Sequence, residues 1–259
     1  MLLKKQKNKK ERIFMKKSAR KILSVILAVV TLLSLTVIAS AKETKPLGYI
    51  EGIPVKSKIV LDLGQTYTIP AVKGADDYTA WYMGDNDYSV TTYYEEGKTP
   101  VLFAKEEGVA LFEVFAYDVT TYIEDGEECY DYETIEDYFI IVAVRPYKET
   151  NFDFGKVTDI YMPDVVLNYR EEAYLYPDIY TKDGDFAYCC TYFVDYDYTC
   201  ADLWEDGTVA GSFNSGTDNC ICYVVDAQGN IYSQDFTINV KYSFVQWLIR
   251  IFLFGWIWY

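Results

Sequence analysis

The sequence predicts an all-β protein made of two tandem copies of one β-sandwich, and three observations carry that prediction. The first is a repeat: DYSVTTYYEEG at 87–97 returns 110 positions later as DYTCADLWEDG at 197–207. The match extends both ways. TYTIP ending at Pro70 answers AYLYP ending at Pro177, Gly108 answers Gly216, Asp118 answers Asp226, and FIIVAV ending at Val144 resembles FTINV ending at Val240. The order is kept while the offset drifts where loops can absorb it, as in a duplicated domain. The second observation is a series of short runs rich in Tyr, Val, Thr, Phe and Ile, such as KIVLDL, YTAWYM, ALFEVFAY and YFIIVAV, separated by Gly, Asp and Asn; such runs favour strands and turns. The third is that helical periodicity is missing before the last 17 residues, 243–259. About seven short strands per copy suit two sheets that cover each other's apolar faces.

Taken in order, residues 1–41 read as an export signal. Lys16, Lys17, Arg20 and Lys21 precede the apolar run ILSVILAVVTLLSLTVI at 22–38, and Ala39-Ser40-Ala41 is a small-x-small cleavage pattern. An uncleaved N-terminal anchor is the alternative. Residues 42–54 follow as a linker, 55–146 as the first sandwich, 147–158 as a second linker, and 159–242 as the second sandwich. The hydrophobic, Trp-rich tail is 243–259.

The run Trp81 … Val90 … Gly97 … Gly108-Val109-Ala110-Leu111-Phe112 resembles the bacterial Ig-like group 2 domain. So does Asp206-Gly207-Thr208-Val209-Ala210-Gly211 … Gly216, followed by Cys220-Ile221-Cys222-Tyr223-Val224. Two departures stand out: Trp81 lies nine residues before Val90 rather than seven, and the second copy offers Thr191 and Phe193 in place of Trp. The resemblance implies two tandem Ig-like β-sandwiches in an extracellular, modular protein of adhesive or accessory kind. It carries over no catalytic residue.

Charge narrows the partners. The chain of 259 residues has a net charge of −15, yet residues 1–41 hold ten Lys/Arg and one acid, leaving 14 bases against 38 acids in the remainder. Such a surface repels phosphate backbones and argues against nucleic acid. With no histidine in the chain, the usual general base and the commonest zinc ligand are missing. No P-loop, Ser-triad or dinucleotide pattern occurs either, so the expectation is a non-catalytic protein without cofactor or metal, whose partner is an unknown protein or glycan.

Three features are candidates for more than fold. Five of six cysteines fall in the second copy; export favours oxidation, so a Cys200 bridge to Cys220 or Cys222 competes with a reading of these thiols as small core side chains. The stretch VTTYIEDGEECYDYETIED, 119–137, holds eight acids and no base. Asp125-Gly126 is a turn signal, so this is an extended hairpin, and Tyr122, Tyr130 and Tyr132 make it the best candidate binding surface. Its bland reading is a solvated stem whose acids resist edge pairing. Asp85, Asn86 and Asp87, with Asp195, Tyr196 and Asp197 at the equivalent turn, are possible calcium oxygens but ordinary turn formers too.

The tail SFVQWLIRIFLFGWIWY is apolar and aromatic, broken only by Gln246, Arg250 and Gly255. A helix over 244–259 is ~24 Å long, short of the ~30 Å hydrocarbon core, and a span buries Arg250. The reading is a helix lying in a membrane interface, with Trp247, Trp256, Trp258 and Tyr259 at the headgroups. Docking on its own sandwich or on another subunit is the alternative. Together these features place the protein outside the cell, at its surface or on its membrane after export.

Overall fold

The computed structural model describes residues 45–254 apart from 86–88, 95–97, 126, 183 and 213, all within one compact unit. The expected signal segment lies outside the described residues. The first half runs β1 (Gly48–Ile50), β2 (Ile53–Asp62), β3 (Thr66–Thr68), β4 (Asp77–Met83), β5 (Val90–Tyr93), β6 (Val101–Ala104), β7 (Gly108–Glu124) and β8 (Glu127–Arg145). The second runs β9 (Val157–Tyr161), β10 (Val165–Asn168), β11 (Glu172–Tyr174), β12 (Asp178–Thr181), β13 (Cys189–Asp195), β14 (Ala201–Leu203), β15 (Thr208–Gly211), β16 (Gly216–Asp226) and β17 (Ile231–Lys241). A helix, α1 (Phe244–Ile249), closes the described chain and runs into a π-turn at Arg250–Phe254.

Pairing explains why the sequence repeats itself. The first half folds as a sheet β1-β2-β8-β7-β4 facing a sheet β3-β6-β5; the second as β10-β17-β16-β13 facing β11-β15-β14, with β9 and β12 as an added pair. Without β1 and that pair, the two halves have the same strand order. Even the exception to antiparallel pairing recurs, since β2 lies parallel to β8 and β10 parallel to β17. The chain is therefore two Ig-like β-sandwiches, as the sequence predicts.

The sandwiches are stacked face to face rather than strung apart. One core lies inside the first half, around Leu61, Ile69, Leu102, Phe112 and Ile140. Another lies inside the second, around Leu175, Phe193, Val209, Phe236 and Ile238. A third lies between them, where Val109, Leu111, Phe139 and Ile141 of the first large sheet meet Cys190, Tyr192, Val194, Tyr223 and Val225 of the second. Because side chains alternate along a strand, β7 sends Ala110, Phe112 and Val114 into its own core and Val109 and Leu111 into the shared one. β8, β13 and β16 divide their residues in the same way. Sheets covered on both faces need continuous apolar runs, and FIIVAV in β8 and CYVV in β16 are such runs.

Polar contacts stitch the same seam. The Asp85 carboxylate accepts the Thr191 N–H at 2.8 Å, and the Asp85 N–H donates to the Thr191 carbonyl at 3.0 Å. Tyr192 donates its hydroxyl to Glu51 at 3.1 Å. Gly84 makes the close approach possible: its φ is +96°, and a Cβ there collides with the Thr191 carbonyl oxygen. Between the halves, Phe154 is buried in the shared core and packs edge-on against Phe152.

Candidate functional site

The predicted hairpin is present and longer than predicted. β7 and β8 pair without interruption from Gly108–Val144 to Glu124–Glu127, with one register shift at Ala116/Tyr117. Asp125, next to Glu124 at the tip, takes a φ of 51°. From Thr120 to Ile135 the described residues are exposed or, at Cys129, half-buried. The ribbon thus projects beyond the sandwich with no layer over either face. Tyr130 and Tyr132 alternate on one face, and Tyr122, opposite Cys129, lies on the other. The structure therefore does not bring all three tyrosines together.

An aromatic strip, unread in the sequence, continues the Tyr132 face down onto the sandwich. Tyr132 meets Tyr117 edge-on at 5.7 Å, Tyr117 stacks on Phe115 at 6.0 Å, and Phe115 meets Trp81 at 5.2 Å. Trp81, the strand tryptophan of the family resemblance, lies on the outward face of β4 and is 54% exposed. In the second half the β13 residue that points inward is Phe193. No sequence signal links the four strip residues, because three separate strands supply them.

Beside the strip, acids gather around Glu113. Glu113 is directly opposite Trp81 across the β4–β7 pair. Burial, and then the charges of Asp137, Glu51 and Glu205, push its carboxyl up to about 7. Asp137 is also raised by burial, against a hydrogen bond with Glu113 that lowers it. A carboxyl raised in the fold binds its proton more tightly there than in the unfolded chain. Its contribution to stability is complete below the unfolded value near 4.5 and is lost as pH rises through about 7. Glu113→Gln is therefore expected to flatten the pH dependence of the melting temperature over that window and to stabilise the fold at pH 8 by roughly 1–3 kcal/mol. A variant that declines as steeply as the parent refutes the assignment.

The neighbouring cleft has a volume of about 720 Å³ and lies between the β1–β2 turn, the end of β4, the edge strand β13 and the β14–β15 turn. Glu51, Asp195, Glu205 and Asp206 supply carboxylates, and Tyr192, Tyr198 and Trp204 supply aromatic surface. Asp195 was singled out in the sequence as a possible calcium oxygen and as a turn former. It does that work with one oxygen, which accepts the N–H groups of Asp197 and Tyr198 at 2.9 and 3.1 Å. The Glu51 end was not anticipated.

Of the two readings of these cysteines, the Cys200 bridge is not formed in the structure, where all six are free thiols. Cys200 sits against Gly216, whose Cβ position is 3.3 Å from that of Cys200. Burial first, then the nearby Asp218 carboxylate, pushes the Cys200 thiol up to about 11, and burial pushes Cys222 up to about 12. These are inert core thiols. Of the calcium candidates, Asp85 binds Thr191, Asp197 accepts from Asn219 at 2.8 and 2.7 Å, and Asn86 and Asp87 lie outside the described residues. Among the described residues no group of three or more His, Cys, Asp or Glu converges as metal ligands do.

The tail begins as a helix capped by Ser243, whose hydroxyl accepts the Gln246 N–H while the Gln246 side chain accepts the Ser243 N–H. Gln246 thus caps the helix, and Arg250 packs on the Tyr242 ring. No residue of α1 is buried; Phe244, Trp247, Ile249 and Phe252 are all exposed. The helix does not dock on its own sandwich. No described helix is long and apolar enough to cross a membrane, and Trp256, Trp258 and Tyr259 lie outside the described residues.

No family model matches the chain, and no curated protein matches it either. Among solved structures it is similar to the Ig1-2 module of the Drosophila receptor protein tyrosine phosphatase DLAR, over 71% of this chain and 95% of that one, at 10% identity and a TM-score of 0.25. Extracellular domains 3-5 of Drosophila OTK match over 71% and 63%, at 12% identity and a TM-score of 0.24. An endo-fucoidan hydrolase of glycoside hydrolase family 107 matches over 77% of this chain but 30% of its own, at 15% identity and a TM-score of 0.22. Likenesses this slight carry no argument about function.

Proposed function

We propose that this is an exported, non-catalytic surface protein of the bacterial Ig-like group 2 kind, which displays the β7–β8 ribbon and its aromatic strip to a protein or glycan partner. One observation carries the reading. The ribbon exposes Tyr122, Ile123, Tyr130 and Tyr132 on strands that the sandwich does not need. Two strands alone are marginally stable in water, and exposed tyrosines on such a ribbon are contact chemistry. The uncovered apolar surface of α1 supports contact with a membrane interface through 243–259. The face-to-face stacking favours a second reading, a stiff spacer of the envelope without a ligand of its own.

Replacing residues 119–132 by Asn-Gly joins Asp118 to Glu133, which are already opposite each other, and leaves the sandwich closed. On an array of glycans and matrix proteins, the intact chain is expected to bind and the shortened chain to lose that binding with its melting temperature little changed. Binding kept by the shortened chain refutes the ribbon as the surface; no binding by either leaves the spacer. In vesicle flotation, truncation before Ser243 is expected to abolish membrane association.

A further inference from the structure

The seam between the sandwiches fixes which way the ribbon and the tail point. At the start of β13 the Cys190 thiol donates to the Met83 carbonyl, at the end of β4, at 3.4 Å. Two residues along β13, the Tyr192 ring meets that of Phe139, which lies level with Trp81, two residues back along β4. The other edge has the same sense. Gly48 lies against Ile231, and Glu51, further along the chain, donates its N–H at 3.2 Å to Tyr223, whose partner Ser233 is two residues on in β17. Movement along β13 and β17 toward the tail is therefore movement along β7 toward the ribbon. Both leave the molecule at one end. From the level of Phe139 and Tyr192, Glu113 to Glu124 in β7 covers about 36 Å and Ser233 to Lys241 in β17 about 26 Å, at ~3.3 Å per residue. The ribbon tip reaches the level where α1 starts and passes it.

Two surfaces of different character thus stand side by side. At the tail, Gln246 caps the helix and Arg250 donates to the Tyr242 hydroxyl, so both polar side chains are held back against the chain leading in. Trp247, Leu248 and Ile249 are consecutive and all exposed, and at 3.6 residues per turn they span more than half of the helix circumference. One protein groove covers less than that; lipid covers all of it. Residues 255–259, GWIWY, continue the run without a charge. Lys241 and Arg170 lie at the foot of α1, where the Tyr169 N–H donates to the Lys241 carbonyl at 2.9 Å. The ribbon is the reverse. Its Glu124, Asp125, Glu127, Glu128 and Asp131 are exposed, and 119–132 holds no base.

We propose that ribbon and tail form one membrane-facing end, in which the tail enters a lipid bilayer and the acidic ribbon beside it repels anionic lipid, so that the protein selects a neutral bilayer. This rests on contact of 243–259 with a membrane. Anionic lipid attracts bases such as Lys241 and Arg170 near its surface, and the ribbon overrides that attraction. Charges act over only about 8 Å at physiological salt, so acids at the far end of the molecule have no such effect. The ribbon's tyrosines then open at the bilayer rather than away from it.

Flotation of the whole chain at 0.15 M salt, on phosphatidylcholine vesicles and on vesicles with 30% phosphatidylglycerol, tests this. The parent is expected to bind the neutral vesicles at least fivefold better. Replacing 119–132 by Asn-Gly is expected to abolish or reverse that preference. So is the combined change Glu124→Gln, Glu127→Gln, Glu128→Gln and Asp131→Asn, which keeps the ribbon and removes charge alone. Glu106→Gln, Glu107→Gln and Glu149→Gln neutralise exposed acids at the opposite end, before β7 and after β8, and are expected to leave the preference unchanged. Equal binding of the parent to both vesicles overturns the proposal. A preference that survives loss of the ribbon's charge overturns it too, as does one that the far-end changes abolish equally, because net charge then accounts for it. A parent that floats with neither vesicle refutes membrane contact itself, and this inference with it.

Discussion

Phe139→Ala is expected to destabilise the whole described unit by about 3–5 kcal/mol and to shift one unfolding transition, not one of two. Phe139 is fully buried on the face of β8 that meets the second half, where its ring lies 6.3 Å from that of Tyr192. The loss removes a large apolar side chain from a seam that neither half can refill alone. If each sandwich were an independent domain, the seam would resemble a modest interdomain contact, and a mutation there would scarcely affect the outer layers. Here the large sheets are buried on both faces, so separation exposes Val109, Leu111 and Ile141 together with Tyr223 and Val225. Urea unfolding followed by hydrogen exchange at β6 and β15, the outermost layers, is the measurement. Both sets of amides are expected to lose protection together. Two separable transitions, with only one displaced, contradict the shared core.

Asp218→Ala is expected to cost a similar amount, about 3–5 kcal/mol, for a different reason. Asp218 is completely buried in β16. Its carboxylate accepts the N–H groups of Thr199, Cys200 and Ala201, at 3.2, 2.9 and 2.9 Å to Oδ2, and the Thr199 hydroxyl. Alanine leaves that run of donors unmatched where the chain enters β14. Burial pushes the Asp218 carboxyl up, but the hydrogen bonds from Thr199, Cys200 and Ala201 outweigh it and hold the group below 3.8. A depressed folded value contributes stability that is present above the unfolded value near 3.8 and lost as pH falls through the folded one. Asp218→Ala is therefore expected to lower the melting temperature at pH 7 and to lose much less on acidification than the parent does. Asp218→Asn keeps an acceptor oxygen and is expected to fall between the two. Parallel pH profiles for parent and alanine variant refute the role.

How far the sequence reached depends on how local each feature is. The ribbon was legible because a two-residue turn signal, Asp125-Gly126, lies between strand-forming runs, and turn chemistry is decided by adjacent residues. The capping box Ser243-x-x-Gln246 was equally local, yet the Gln was read only as a break in an apolar run. Continuous apolar runs in β8 and β16 held the clue to burial on both faces, while the reading relied on alternation and saw only each sandwich's own core. The cleft could not be read at all. Tyr192 and Glu51, which hydrogen bond at its edge, are 141 positions apart, and only the stacking of the halves joins them.

The sequence by itself determined that the chain is all-β, written twice, with an acidic tyrosine-bearing hairpin and an apolar tail, because turn preferences and side-chain alternation act over a few residues. Only the tertiary structure decided that the sandwiches share a core, that the cysteines are free thiols, and that Glu51 and Tyr192 meet at one cleft. Those outcomes depend on which sheet faces find each other, a choice made by shape and burial summed over distant strands.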